Sequence, residues 1–448
     1  MSQTIYALAS APGRAGVAVV RVSGPDAFDS LAALSEPMPL PDIRQASLRK
    51  IKNPVQEKSV DEAVVVRFAG PHSFTGEDVV EYHVHGGRAV IDALLAALAA
   101  QAGHRLAEPG EFTRRGFENG RMDLTAAEAV ADLIAAETEA QREQALAQMG
   151  GALARLYDGW AGRLSRALAH LEADLDFSDE DLPEGVAETV KPQLRQLEFE
   201  IRQHLNDGRR GERLREGVKI AVIGAPNAGK SSLVNALAQR DVAIVSDIPG
   251  TTRDVIEVHL NLGGYPVILA DTAGLRPDQI GHSGQDRIEQ EGIARALRYA
   301  QDADVVLLLF DGAAVPSIDP DTVRLIDSRS VCYASKADIM RADARVRGMT
   351  LPAFSVATGA GFDRLIHDLT GRVAEAMGSA DRPYLTRARH RVALEESCAA
   401  LTRAGEAMLP ELIAEDARLA LRALGRITGR VDVENLLDII FRDFCIGK

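Results

Sequence analysis

From Gly224 to Ser231 the chain reads GAPNAGKS, a glycine, four residues, then Gly-Lys-Ser. The glycines let the backbone curl tightly, so successive N–H groups and the start of the following helix converge on one point. That arrangement suits a polyphosphate. Lys230 brings a cation to the outer phosphates, Ser231 offers a hydroxyl ligand for Mg²⁺, and Asn227, Ala228, Gly229 and Ser232 complete the cradle. Two later segments stand where such a cradle needs them. DTAG (Asp271, Thr272, Ala273, Gly274) directly follows the apolar run YPVILA, which puts Asp271 beside the metal and the Gly274 N–H near the terminal phosphate. SDIPGTTRD lies between cradle and DTAG, and its Ser246, Asp247, Ile248, Pro249, Gly250 and Thr251 lead to Thr252, whose hydroxyl can complete the Mg²⁺ shell.

Base choice falls to SKAD, residues Ser335, Lys336, Ala337 and Asp338. One carboxylate, Asp338, accepts from both N1–H and the exocyclic amine of guanine, which adenine does not offer, so the nucleotide is expected to be GTP. The usual GTPase form of this tetrad opens with Asn, and Ser335 departs from it in a way expected to weaken the link to the phosphate loop. SVATG supplies Ser355, Val356 and Ala357 as the loop closing over the base. After DTAG stands Leu275, where Ras-like switches carry a water-orienting Gln, so hydrolysis must recruit another residue and another positive charge.

These residues need a scaffold. EGVKIAVIG reads as a buried strand, and strands such as YPVILAD and DVVLLLF then alternate with helical stretches to about residue 375, the βαβ pattern of a parallel sheet. Before it, residues 1–118 mix the β-branched runs GVAVVRVSG, DEAVVVRFAG and DVVEYHVHGG with one apolar helix, AVIDALLAALAAQAG. Residues 119–215 and 376–448 show apolar positions at three and four with few Gly or Pro. The expectation is a multidomain α/β chain: an N-terminal α+β domain (1–118), a discontinuous helical domain (119–215 and 376–448), and an inserted doubly wound, Ras-like P-loop domain (216–375). At 448 residues a chain of about three domains is expected.

The formal net charge of -14 repels phosphate backbones, so nucleic acid must be met through a local basic patch or a partner. Cys332, Cys398 and Cys445 are odd in number and far apart, with no CxxC, which argues for a reducing, cytoplasmic setting and against a disulfide framework or zinc knuckle. No basic and apolar leader opens the chain, and no apolar run approaches the ~18 residues of a membrane span. Cys445 is fourth from the end, yet Ile446-Gly447-Lys448 does not match a prenylation box. Glu81, His83 and His85 share one face of a strand, a spacing that permits metal binding, although packed histidines are the commoner case. The acidic run DFSDEDLPE reads as a solvated loop.

Taken with GTTRD, DTAGLR, EFTRRGFENGRMDLTAAEAVADLI and the terminal FCIGK, the sequence closely resembles the MnmE (TrmE) family of tRNA-modifying GTPases, from PGRAGVAVVRVSG to the last residue. The resemblance implies an N-terminal tetrahydrofolate-binding domain that also dimerises, a helical domain and an inserted G domain. It implies modification of C5 of the wobble uridine of certain tRNAs, with an FAD-containing partner, MnmG (GidA), and a 5-formyl or 5,10-methylene folate as the one-carbon source. It further implies hydrolysis activated by K⁺, with Asn227 as a ligand joined by Ser246, Ile248 and Thr251, and with Glu289 positioning water beside Lys230. Folate contacts carry over to Arg21, Glu81, Arg121 and Lys448, with Arg121 standing where Lys is usual. On the G domain alone, a GTP-switched factor of RNA or ribosome maturation remains the alternative, because fold and nucleotide do not fix the output.

Overall fold

The computed structural model describes residues 3–176, 186–240, 242–244, 256–271, 299–378, 383–431, 434–442 and 444–447. The chain forms two compact units, one of Met1–Ala131, Gln148–Leu182 and Pro410–Lys448, the other of Asp132–Ala147 and Pro183–Leu409.

The first unit is built on a seven-stranded sheet of β1 (Thr4–Leu8), β2 (Ala15–Ser23), β3 (Ser35–Glu36), β4 (Ser47–Asn53), β5 (Lys58–Phe68), β6 (Val79–Gly86) and β7 (His104–Leu106). Their order is β3-β4-β5-β6-β2-β1-β7, antiparallel except where β1 meets β7. Strand alternation sorts the side chains. Val20 and Val22 of β2 and Val80, Tyr82 and Val84 of β6 face the main core with helices Ala27–Leu34 and Arg88–Ala99. Arg21, Glu81 and His83 therefore lie on the opposite face. Helices Ala152–Asp176 and Pro410–Thr428 pack together, with ion pairs Arg418–Glu172 and Arg430–Asp158 at their flanks, and helix Glu434–Arg442 leads into the C-terminal tail.

The second unit carries a five-stranded sheet of β8 (Val218–Gly224), β9 (Ile256–Leu262), β10 (Tyr265–Asp271), β11 (Val305–Asp311) and β12 (Ser330–Ser335), in the order β12-β11-β8-β10-β9. Val218, Ile220 and Val222 of β8 enter one core while Ala221 and Ile223 enter another, so both faces are covered and the strand reads as unbroken hydrophobic sequence. One edge departs from the expected parallel sheet: β9 runs antiparallel to β10. The cause is Gly263-Gly264, both with positive φ (63° and 89°), which close a tight hairpin whose twist matches the flanking strands. Helices Val186–Leu205 and Ala388–Glu406 form the helical part of this unit. Arg391 clamps its end, bonding Asp207 at 2.9 Å, Glu212 at 3.0 Å and the Leu205 carbonyl at 2.9 Å.

Candidate nucleotide and folate sites

The phosphate loop starts where β8 runs out of room. Gly224 pairs with Leu309 of β11, and a Cβ on it would stand 2.3 Å from the Leu309 carbonyl oxygen, so only glycine fits. Asn227 (φ 63°) and Gly229 (φ 86°) adopt left-handed backbone, turning the chain back before helix Lys230–Ala238 begins. Leu233, Val234 and Leu237 bury that helix against the sheet and fix its direction. The Lys230 ammonium donates to the carbonyls of Gly224 (2.9 Å) and Ala225 (3.0 Å), which holds its charge across the loop. Helix N-terminus and lysine together make a strongly anion-attracting point. Asp271 ends β10 in register with Val222, two residues before Gly224, which carries the strand end to the base of the loop.

β12 ends at Ser335, which is 2% exposed. Its hydroxyl donates to the Phe310 carbonyl of β11 at 3.3 Å, while its Cβ lies 3.7 Å from where a Cβ on Gly229 would stand. The serine thus abuts the phosphate loop but spends its hydroxyl on the neighbouring strand. Lys336 (φ 55°) reaches Asp311 at 2.8 Å, and Asp311 also accepts from the Ala313 N–H at 2.9 Å. Asp338 accepts from the Ser355 hydroxyl at 2.5 Å, and the Ala337 N–H donates to the Phe354 carbonyl at 3.0 Å. Ser355 is fully buried, and its oxygen accepts from the Thr358 N–H at 3.2 Å, so the loop bearing Val356 and Ala357 and the SKAD turn form one hydrogen-bonded frame. Asp311 was not singled out in the sequence; its position at the C-terminal end of an all-apolar strand was the available signal.

The second cluster occupies the open face of the first unit's sheet. Arg21 and Glu81 are cross-strand partners, joined by Nε and Nη2 to Oε1 at 3.0 and 2.9 Å. The guanidinium lies 5.3 Å from the Phe74 ring centroid and 5.7 Å from that of Phe112, so its faces meet aromatic surface. His83 Nε2 sits 3.6 Å from Glu81, buried and without a hydrogen-bond partner. His85 turns instead to Asp61, at 2.8 Å, so the three strand-face residues do not converge, and no metal-holding group of His, Cys, Asp and Glu occurs among the described residues. Arg121 is exposed and donates through Nε to the Ser73 carbonyl at 3.1 Å. Beneath them Glu111 binds Arg105 (2.6 Å), Arg115 (2.9 Å) and the Glu108 N–H (2.9 Å). Burial works to raise its pKa, but these donors outweigh it and hold the carboxyl below its usual range.

The tail folds back onto this domain. Phe441 and Phe444 are buried with Leu124 and Ala127, and Ile446 forms a β-bridge with Pro109. Gly447 (φ 97°) presses on β1, where a Cβ would come within 2.0 Å of the Leu8 carbonyl oxygen. Cys445 is exposed. Lys448 itself, the switch residues Ser246, Asp247, Ile248, Pro249, Gly250, Thr251 and Thr252, the turn Thr272, Ala273, Gly274 and Leu275, Glu289, and the acidic run after Asp176 lie outside the described residues.

Residues 4–121 match the family description "GTP-binding protein TrmE N-terminus", and residues 124–445 match "MnmE helical domain". The chain belongs to the MnmE family. It is 53% identical over 453 residues to the tRNA modification GTPase MnmE of Paramagnetospirillum magneticum, with 100% of each chain covered. It is 51% identical over 461 residues to that of Parvibaculum lavamentivorans, again over 100% of each. The human mitochondrial 5-taurinomethyluridine-[tRNA] synthase subunit GTPB3 is 45% identical over 464 residues, covering 99% of this chain and 93% of that one. Among the described residues no helix is long and apolar enough to cross a membrane.

Proposed function

We propose that this protein is a cytoplasmic tRNA modification GTPase, activated by K⁺, which acts with an FAD-dependent MnmG-type partner on C5 of the wobble uridine and takes its one-carbon unit from a reduced folate. The observation that carries this reading is the co-occurrence, in one member of the MnmE family, of a phosphate loop abutted by the SKAD turn and a separate aromatic and charged face to which the C-terminal tail is folded. The domain assignment that goes with it is a folate-binding, dimerising segment 1–118, a helical domain of 119–215 and 376–448, and a G domain of 216–375.

In the nucleotide site Asp338, aligned by Ser355, takes the guanine edge. Lys230 and the backbone N–H groups of Asn227 to Ser232 take the phosphates. Ser231 and Thr252 would hold Mg²⁺, with Asp271 on a metal-bound water, and Asn227 with Ser246, Ile248 and Thr251 would hold K⁺. The two cations, when bound, supply the positive charge that offsets developing negative charge on the transferred phosphoryl group. Glu289 orients the attacking water, a task that aliphatic Leu275 cannot perform. Arg21 and Glu81, held as an ion pair with the guanidinium against Phe74 and Phe112, offer polar groups beside aromatic surface to a heteroaromatic ring such as a pterin. Arg121 and Lys448 meet its anionic glutamate tail. The orphaned His83 Nε2 on the same face fits a site completed by a polar ligand.

GTP turnover in K⁺ against Na⁺ at matched ionic strength, with Asn227→Ala alongside, tests the hydrolytic half. Many-fold acceleration by K⁺ that disappears in the variant is the expected result. Slow turnover indifferent to the cation would overturn K⁺ activation.

A further inference from the structure

Lys336 stands in left-handed backbone, φ 55° and ψ 43°, between β12 and the 3₁₀ turn Ala337–Ile339 that carries Asp338. A side-chain-bearing residue keeps that conformation only where its surroundings hold it. Part of the hold is main chain: the Ala337 N–H donates to the Phe354 carbonyl at 3.0 Å and the Ile339 N–H to the Lys336 carbonyl at 3.1 Å. The rest is Asp311, whose Oδ2 accepts from the Lys336 ammonium at 2.8 Å and is the one group which that ammonium bonds among the described residues. We infer that Asp311 is a positioning residue for guanine selection, which keeps the Lys336 cation away from Asp338, the carboxylate assigned to the base edge. The inference rests on the guanine-nucleotide reading of the SKAD turn.

The backbone around Asp311 fixes its place. Asp311 ends β11 in parallel register with Ser335, the residue before the lysine. The next residue, Gly312, lies so close to the SKAD turn that a Cβ on it would stand 2.1 Å from the Ser335 carbonyl oxygen, so no side chain separates the two turns. The second oxygen of Asp311 accepts from the Ala313 N–H at 2.9 Å and caps the 3₁₀ turn Gly312–Ala314, while its side chain is only 19% exposed. The carboxylate is therefore oriented before any nucleotide arrives. Asp338 accepts from the Ser355 hydroxyl at 2.5 Å, which leaves lone pairs for the N1–H and exocyclic amine of guanine. Lys336 and Asp338 are two residues apart, and a flexible four-carbon stem is long enough to bring the ammonium to either carboxylate. A cation seated on Asp338 would occupy the acceptor positions that guanine needs and leave the base's donors unpaired, the mismatch that a polar pocket rejects most strongly. By taking the ammonium, Asp311 leaves Asp338 open to the base.

Inosine nucleotides lack the exocyclic amine, so the ratio of GDP to IDP affinity reads the second hydrogen bond to Asp338. Competition against a fluorescent GDP analogue on the full chain gives both affinities. Asp311→Asn and Asp311→Ser each keep a side-chain acceptor for the Ala313 N–H and remove the charge. GDP binding is expected to weaken about five- to tenfold in both and IDP binding less, so that the ratio narrows about threefold. GTP turnover in KCl should show a raised KM with kcat within about twofold of wild type, because the groups on the phosphates are untouched. In a Lys336→Met background, which keeps an apolar stem and has no ammonium to misplace, Asp311→Asn should narrow the ratio no further. An unchanged ratio in both Asp311 variants, or the same narrowing in the Lys336→Met background, would reduce Asp311 to a cap of its own turn and overturn the inference with the guanine reading intact. A wild-type chain that binds GDP no better than IDP and ADP would overturn the guanine reading and this inference with it.

Discussion

Gly447→Ala should disconnect the terminal lysine from the folate face without touching the nucleotide site. At φ 97° an L side chain is strained, by about 1–2 kcal/mol for left-handed backbone in general. The steric conflict is larger. The new Cβ would lie 2.0 Å from the Leu8 carbonyl oxygen and 2.8 Å from the Leu8 carbonyl carbon, both backbone atoms of a strand paired on both sides. Since ordinary contact needs about 3.4 Å or more, either β1 or the tail must shift by more than an ångström, and the tail is the freer of the two. Phe441 and Phe444 lie upstream in a buried cluster and should keep the helix Glu434–Arg442 in place, so only the last residues detach. The lost electrostatic contact of Lys448 with an anionic glutamate tail is worth about 1.5–3 kcal/mol, or roughly ten- to hundredfold in affinity. Titration of 5-formyltetrahydrofolate by calorimetry reads this directly, with Lys448→Ala as the charge-only comparison and GTP turnover as the control. Equal folate affinity in wild type, Gly447→Ala and Lys448→Ala would refute the role of the docked tail.

Further outcomes follow from the same geometry. Ser355→Ala removes the donor that orients Asp338; GTP affinity measured with a fluorescent analogue should fall about tenfold, one charge-assisted hydrogen bond, and the preference for GTP over ATP should narrow. Arg391→Ala leaves Asp207 with the Arg209 N–H and Glu212 with the more distant Arg209 guanidinium, at 3.8 Å; their side chains being only 10% and 15% exposed, it should destabilise the second unit by about 2 kcal/mol, seen as an earlier melting transition and faster amide exchange in helix Ala388–Glu406. Glu111 titrates below its usual range in the folded chain, so the unfolded chain takes up its proton first; the carboxylate's stabilisation is complete above the ordinary glutamate pKa of about 4.3 and is lost as pH falls through the folded value. Glu111→Gln should therefore lower the stability of the first unit at pH 7 by about 2 kcal/mol, discounted because Arg105 is 37% exposed, and should flatten its melting profile between about pH 5 and 3. Parallel acid profiles in the two proteins would count against that role.

The parts legible in the sequence were those in which one local pattern had one physical solution. KIAVIG followed by a glycine-rich turn and a helix must be a buried strand feeding a phosphate loop, and β8 with helix Lys230–Ala238 is that element. Alternation in VVEYHVHG placed Glu81 and His83 on one face because side chains of a strand can only alternate. The β9–β10 hairpin went unread although Gly263-Gly264 announces it, since the βαβ rhythm around it favoured a parallel sheet; a two-residue glycine turn between apolar runs outweighs that rhythm.

What sequence could not supply was pairing at long range. That Arg21 stands over Phe74 and Phe112, or that Lys336 needs Asp311, depends on separations of 53, 91 and 25 residues along the chain, counted from their positions, and no periodicity reports such contacts. The same limit explains the tail. FCIGK carries no regular pattern, and its significance lies in what it touches: a glycine forced by β1, an isoleucine bridged to Pro109 and a phenylalanine buried in a helix cluster with Leu124 and Ala127. These contacts make the position of Gly447 a consequence of the N-terminal strand. Any change that loosens β1 should therefore weaken folate binding and spare GTP hydrolysis, the dissociation of effects that Gly447→Ala is designed to expose.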